Sequence, residues 1–400
     1  MPESVTDPRQ LRLPPKRPIR LSWSDERVRG IVWQVVVVGI VGSLFWWLWS
    51  NTAHNLAVRR IATGFEFLRR EAGLPIAEHL VDYNPTDTYF RALLVGFLNT
   101  LKVAVVGIVL ATILGTLIGI ARLSRNWLLA KLAAVYVEVI RDLPLLLQLL
   151  FWYALLQGLP GPRQAMNPAE GVFLSNRGLK LPWFEWTDAH SFALLAFVLG
   201  AIATWLYARQ ATAKRLLDGR KRPAWPFALL AMLATPIGIW AVMGAPFTPD
   251  IPKLRGFNFQ GGLNISPEYF ALLIGLVTYT AGFVAEIVRA GIQAVPHGQW
   301  EAAQALGLHR GQVLRQIVLP QALRVIIPPM TSQYLNITKN SSLAVAIGYQ
   351  DIVSIANTTL NQTGQAIEGI AIIMLVYLTI SLSISLFMNW YNGRIALVER

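Results

Sequence analysis

Long apolar runs separated by short polar segments dominate this chain, with eight such runs near residues 31–49, 94–121, 132–157, 191–207, 226–245, 269–288, 322–348 and 369–391. A bilayer core about 30 Å thick requires roughly 20 apolar helical residues. The pattern therefore predicts an all-α, polytopic membrane helical bundle with about eight transmembrane helices. The first run follows a basic tail and is longer than the apolar core of a cleaved signal peptide, so it reads as an uncleaved anchor. Between the runs no segment is large enough to build a separate soluble core. The longest, 50–90 and 158–190, read as surface loops, the second rich in turn-forming residues.

Lys and Arg set the orientation of such a bundle. With a cytoplasmic N-terminus, 22 of the 35 basic residues fall on the cytoplasmic side, 10 on the other, and Lys102, Arg141 and Lys339 inside spans. Both termini and the loop between the sixth and seventh runs are then cytoplasmic. Composition agrees with a membrane protein: 54% of residues are hydrophobic and 14% charged, too much apolar surface for a soluble globular domain. The formal charge of +13 raises nucleic-acid binding as an alternative, but loops on one face of a membrane account for where those charges sit. Zero cysteines exclude disulfides, thiolate metal sites and cysteine nucleophiles. The five histidines lack ligand spacing, so no metal site is expected.

Residues 301–320, EAAQALGLHRGQVLRQIVLP, carry a longer pattern: Glu-Ala-Ala, three residues, Gly, nine residues, Ile-x-Leu-Pro. Its fixed positions are Glu301, Ala302, Ala303, Gly307, Ile317, Leu319 and Pro320. Helix-compatible residues lead up to Gly307, which suits a helix stop, and Pro320 can begin or bend the next helix. Two short helices are expected. The pattern resembles the membrane-spanning subunits of ATP-binding cassette importers. RDLPLLLQ at 141–148, TAGFVAEIVRAGIQAV at 280–295, PQALRVIIPP at 320–329 and KNSSL at 339–343 narrow the resemblance to the histidine and glutamine type, and length and inserted helices to general L-amino acid permeases of Gram-negative bacteria.

The resemblance implies that residues 301–320 form a cytoplasmic coupling helix docking on a partner ATPase, within a coupling loop at 291–320. It divides the chain into a cytoplasmic tail (1–30), an extra span and periplasmic loop (31–90), a first core part (91–157), an insertion with two extra spans (158–267), a second core part (268–391) and a cytoplasmic C-terminus (392–400). Implied partners are an ATPase dimer, a second permease subunit, a periplasmic amino-acid-binding protein and the amino acid itself, in the bacterial inner membrane. No cofactor is expected in this chain. It has no Gly-Lys dipeptide and hence no Walker A loop, so ATP and Mg would be bound by the ATPase.

Charges inside spans are costly and face a bundle interior or aqueous path. Glu138 and Arg141, spaced i, i+3, with Asp142 and the following Pro144, are read either as a polar wall of the substrate path or as an ion pair pinning a kinked helix. Glu286 and Arg289 repeat that spacing. Lys339, Asn340 and Ser341 interrupt the seventh run and could bind a zwitterion at an unwound turn, or cap a helix break. Many relatives have Asp and Thr where Asn340 and Ser341 stand. Gly115 and Gly119 form a GxxxG, read as a close helix contact. The function so predicted is an ATP-driven amino acid permease working by alternating access; its rival is an ion-coupled secondary transporter in which Glu138, Asp142 or Glu286 carries protons.

Overall fold

The computed structural model describes residues 26–58, 63–218 and 223–395. Most of the basic tail, the tip of the 208–223 loop and the last five residues lie outside the described residues. Two compact units divide at Gly64 and Phe65. The first contributes α1 (Glu26–Val58), a helix whose apolar side chains, Trp46, Trp47 and Trp49 among them, are exposed all around. A helix apolar on every face requires lipid or protein around it.

The second unit is built around two helices, α2 (Tyr89–Arg122) and α8 (Pro267–Gln293). Thr88 and Ser266 cap their first turns through side-chain oxygens. The two run side by side in the same direction, because the glycines of α2 remove the side chains that would separate them. A Cβ on Gly119 would lie 2.7 Å from the Ala285 carbonyl oxygen, and one on Gly115 2.9 Å from that of Ala281 and 2.5 Å from the Val284 Cβ. The GxxxG is the seam between these helices, as its spacing predicts.

The run at 132–157 is not one straight helix. α3 (Trp127–Asp142) and α4 (Leu145–Gln157) meet at 105°, because Pro144 cannot donate to the helical ladder and disfavours helical backbone at Leu143. Among the described residues six helices are long and apolar enough to cross a membrane, or seven if this bent pair counts as one. The predicted seventh run fails that test although α11 (Leu319–Asn340) has 22 residues. It carries Thr331, Ser332, Asn336 and Lys339 away from a buried stripe of Ala322, Ile326, Met330 and Ile337.

The inserted spans form a hairpin of α5 (Asp188–Asp218) against α6 (Trp225–Leu229) and α7 (Thr235–Val242). A π turn at Leu230–Ala234 precedes Pro236, with Thr235 N–H donating to Leu230 O, so the proline's missing donor falls where the ladder is already widened. The flanking loops are partly strands. β1 (Met166–Ala169), β2 (Val172–Ser175), β3 (Gly178–Leu181) and, after β4 (Trp183–Phe184), β5 (Pro249–Asp250), β6 (Lys253–Arg255) and β7 (Asn258–Gln260), β8 (Leu263–Ile265) form one four-stranded antiparallel sheet, β1-β2-β3-β8, and two pairs, β4-β5 and β6-β7. These strands have two to four residues, too short to show alternation in sequence.

The seam generates a prediction. Gly115→Leu and Gly119→Leu are expected to reduce the yield of monodisperse protein in detergent strongly, overpacking costing typically 1–3 kcal/mol per site. Gly39→Leu on α1, where a Cβ meets nothing within 4 Å, is the control and should leave the yield unchanged.

Candidate functional site

Beyond the C-terminal end of α8 the chain forms α9 (His297–Ala305), α10 (Arg310–Val313), a π turn at Leu314–Val318, and then α11. Gly307 stops α9 in a Schellman motif: its φ is 76°, its N–H donates to Gln304 O, and Leu308 N–H donates to Ala303 O at 3.2 Å. The second expected helix is not separate. α10 continues through the π turn into α11, and Pro320 sits inside this longer helix, with Leu319 N–H reaching back to Leu314 O. Ala303 is buried, joining Val313, Val318, Ala322 and Ile326 of the α10–α11 side and Val284, Val288 and Val295 of the α8 side in one cluster, against which Ile317 packs. Glu301, Ala302, Leu306 and Gly307 remain exposed, Leu306 by 80%. A short helix is thus fastened to two long ones while presenting a small-residue and apolar face outward.

Near the C-terminal ends of α2 and α8, Glu286 is gripped by two guanidinium groups. Arg289 donates from Nε to Oε2 at 3.1 Å and from Nη2 to Oε1 at 2.5 Å, and Arg122 of α2 donates from Nη1 to Oε2. The i, i+3 pair expected from sequence is present, and Arg122 adds an interhelical bond that sequence reasoning missed. The other expected pair is absent: among the described residues no ion pair joins Glu138 to Arg141. The bend at Pro144 leaves Arg141 lying across Gly282, its guanidinium 5.0 Å from the Phe283 ring centre, a cation–π contact. Glu138, Arg141 and Asp142 are exposed on this chain.

Lys339 and Asn340 end α11, and Ser341 opens a 3₁₀ turn, Ser341–Ile347. The backbone there tightens instead of unwinding. Ser341 is fully buried and donates to Thr338 O at 2.7 Å, Ser342 donates to Lys339 O at 2.7 Å, and Lys339 is exposed. The sequence candidates therefore lie in three places: the segment from α9 to the start of α11, the Glu286 clamp, and the exposed charges of α3 and α11.

A further cluster was not foreseen. Residues 65–88 do not form a loose loop; Phe67, Leu74, Ile76 and Tyr83 pack with Leu93 and Val95 of α2 and Ile352 and Ile355 of α12 (Ile352–Thr363). Glu78 of this strap pairs with Lys102 of α2 at 3.1 Å and accepts from Ser266 N–H at 2.8 Å. Lys102, a cation inside a span without a sequence-local partner, was the signal that a carboxylate must come from elsewhere. Asp351 caps α12 by accepting from Ser354 N–H at 2.8 Å, and burial pushes its carboxyl up to about 7 against that bond.

Comparisons with known proteins give the family of the chain. A family model described as "binding-protein-dependent transport system inner membrane component" matches residues 224–397. YhdX of Escherichia coli K12, named as an amino-acid ABC transporter permease, is 52% identical over 95% of this chain and 97% of the relative. The chain belongs to this family. The permease is also similar to the general L-amino acid transport system permease AapQ of Rhizobium johnstonii, 48% identical over 95% of this chain and 96% of the relative. BztB of Rhodobacter capsulatus, a glutamate/glutamine/aspartate/asparagine transport system permease, is 42% identical over 97% and 99%. As a permease subunit of an ABC transporter it is a multi-pass membrane protein and a translocation component.

Gly307→Val places a β-branched residue in left-handed backbone, costing about 1–2 kcal/mol, and deforms the turn that aims α9. Glu301→Arg reverses an exposed charge on the same face. Both permease variants are expected to reach the membrane at normal levels and to co-purify less ATPase, read as the ratio of the two subunits after affinity purification.

Proposed function

We propose that this permease carries L-amino acids from the periplasm to the cytoplasm by alternating access, as one half of the membrane pore of an ATP-driven importer. A periplasmic receptor delivers the amino acid, and a second, non-identical permease subunit completes the pore. Two ATPase subunits bind ATP and Mg and close on hydrolysable nucleotide. In this reading α9 is the coupling helix on the cytoplasmic side, with Glu301, Ala302 and Gly307 on the docking face and Ala303, Ile317, Leu319 and Pro320 on the side that transmits movement. Both termini are cytoplasmic, and the strap and strands are periplasmic.

The observation that carries this reading is the attachment of α9 to both α8 and α11. A helix that only rested on the lipid surface would need no attachment to the bundle, whereas α9 uses Ala303 and its neighbours to grip α8 and α11, with Glu301 and Leu306 exposed where another protein can meet them. Exposed charges at membrane depth need water or a partner; Glu138, Arg141, Asp142 and Lys339 are assigned on that ground to the amino acid path, with Asn340 and Ser341 shaping the backbone beside it. Glu286, held by two arginines, serves the path by fixing the α2–α8 spacing.

Reconstitution of the full complex into proteoliposomes tests the reading. Amino acid uptake should require receptor and ATP and should be indifferent to an imposed proton or sodium gradient; uptake driven by an ion gradient without the ATPase would overturn it. In the same assay Arg141→Ala should assemble normally and lose most uptake, since its neighbours Glu138 and Asp142 would then repel a carboxylate. Normal uptake would remove Arg141 from the path.

A further inference from the structure

The strap at residues 65–88 crosses the N-terminal ends of α2 and α8, and Glu78 is the side chain that ties it to both. Glu78 Oε2 pairs with Lys102 Nζ of α2 at 3.1 Å, and Oε1 accepts from the backbone N–H of Ser266, the residue that caps α8, at 2.8 Å. Its backbone carbonyl accepts from Asn99 Nδ2 of α2 at 2.9 Å, and the same amide donates to Gln350 O. Gln350 in turn accepts from Ala77 N–H and donates to Pro75 O. Glu78 thus joins the strap to α2 and to the start of α8, and the turn before α12 joins alongside it through Asn99, Ala77 and Pro75. Lys102 also lies 4.1 Å over the Tyr269 ring, which packs against Tyr349.

This junction is not fully satisfied. The Asn99 Oδ1 and the Tyr349 hydroxyl are buried with no hydrogen-bond partner, although both residues are almost wholly enclosed. A partly satisfied polar network in a low-dielectric setting is held less firmly than a complete one. Opening it also restores hydration to both ions of the pair, offsetting the attraction that is lost. The polar part of the strap, between the apolar anchors Phe67 and Tyr83, therefore has the features of a closure that can release locally: charged, and left with unpaired groups when shut.

We propose that Glu78 bolts the receptor-facing end of the permease, and that amino acid can enter only when Glu78 lets go of Lys102 and of the Ser266 amide. The proposal rests on the alternating-access reading above. The natural chain contains no cysteine, so Glu78→Cys with Lys102→Cys can be bridged in the reconstituted complex by a short bifunctional thiosulfonate and released by reductant. Bridging is expected to lower uptake about ten-fold or more, the loss expected when the open state is almost depopulated, with recovery on reduction and no effect of the reagent on either single variant. Bridged complex transporting within about two-fold of the reduced form would overturn the proposal, since the strap would then be a fixed brace. If that double variant fails to assemble, Ala77→Cys with Gln350→Cys keeps both charges, and the same two outcomes decide. Uptake that needs an ion gradient instead of ATP in the unbridged complex would refute the importer reading separately, while the comparison of bridged with reduced protein still judges the bolt.

Discussion

Close approach around α8 is the constraint on which this permease depends. α2 reaches it through Gly115 and Gly119, α4 through Leu149 set against Gly275, and α11 through Ile326 set against Gly291. In lipid no hydrophobic force drives helices together, so dispersion at short range and interhelical polar bonds must do it. That explains why α8 is the most enclosed of the candidate spans, with 61% of its apolar stretch buried, while α1, α5 and α13 (Ala366–Ile395) bury 6% or less. Glycine supplies the approach, and the Arg122–Glu286 ion pair ties α2 to α8 at one end, while at the other Lys102 of α2 meets Glu78 of the strap.

The same constraint connects α9 to the long helices. Val284 and Val288, which meet the α2 glycines, belong to the cluster that also contains Ala303 of α9 and Ile326 of α11. A force on α9 therefore reaches the α2–α8 seam through packed side chains, without a flexible segment between. Cores packed at this density shift as bodies, not as fluids, which suits a subunit whose energy source lies outside the bilayer.

Much of this was legible in the sequence. Hydrophobic runs located the long helices, Gly307 announced its left-handed turn, and the GxxxG spacing located the seam. What sequence could not show depended on partners far apart in the chain. Arg122 and Glu286 are 164 residues apart, and Glu78 and Ser266 188 apart; nothing local distinguishes them from surface charges. Local spacing left two readings open at Glu138 and Arg141; no ion pair joins them among the described residues, and the Arg141 guanidinium lies over Phe283 of a neighbouring helix. Pro144 was visible as a kink, but the 105° between α3 and α4 was not. Pro320 was read as able to begin or bend a helix, and it stands in the first turn of α11, where the π turn before it absorbs the lost bond.

The central claim is that α9 and α8 move as one body. Spin labels at Gln304→Cys on α9 and Ile274→Cys on α8, in the otherwise cysteine-free complex, would measure it by pulsed electron resonance with the ATPase empty and with it trapped in nucleotide. The distance should differ by less than about 2 Å between the two states, the scale of a helix shift, whereas a change of more than about 5 Å, one helical turn, would show the loop hinging on α8 and contradict the account.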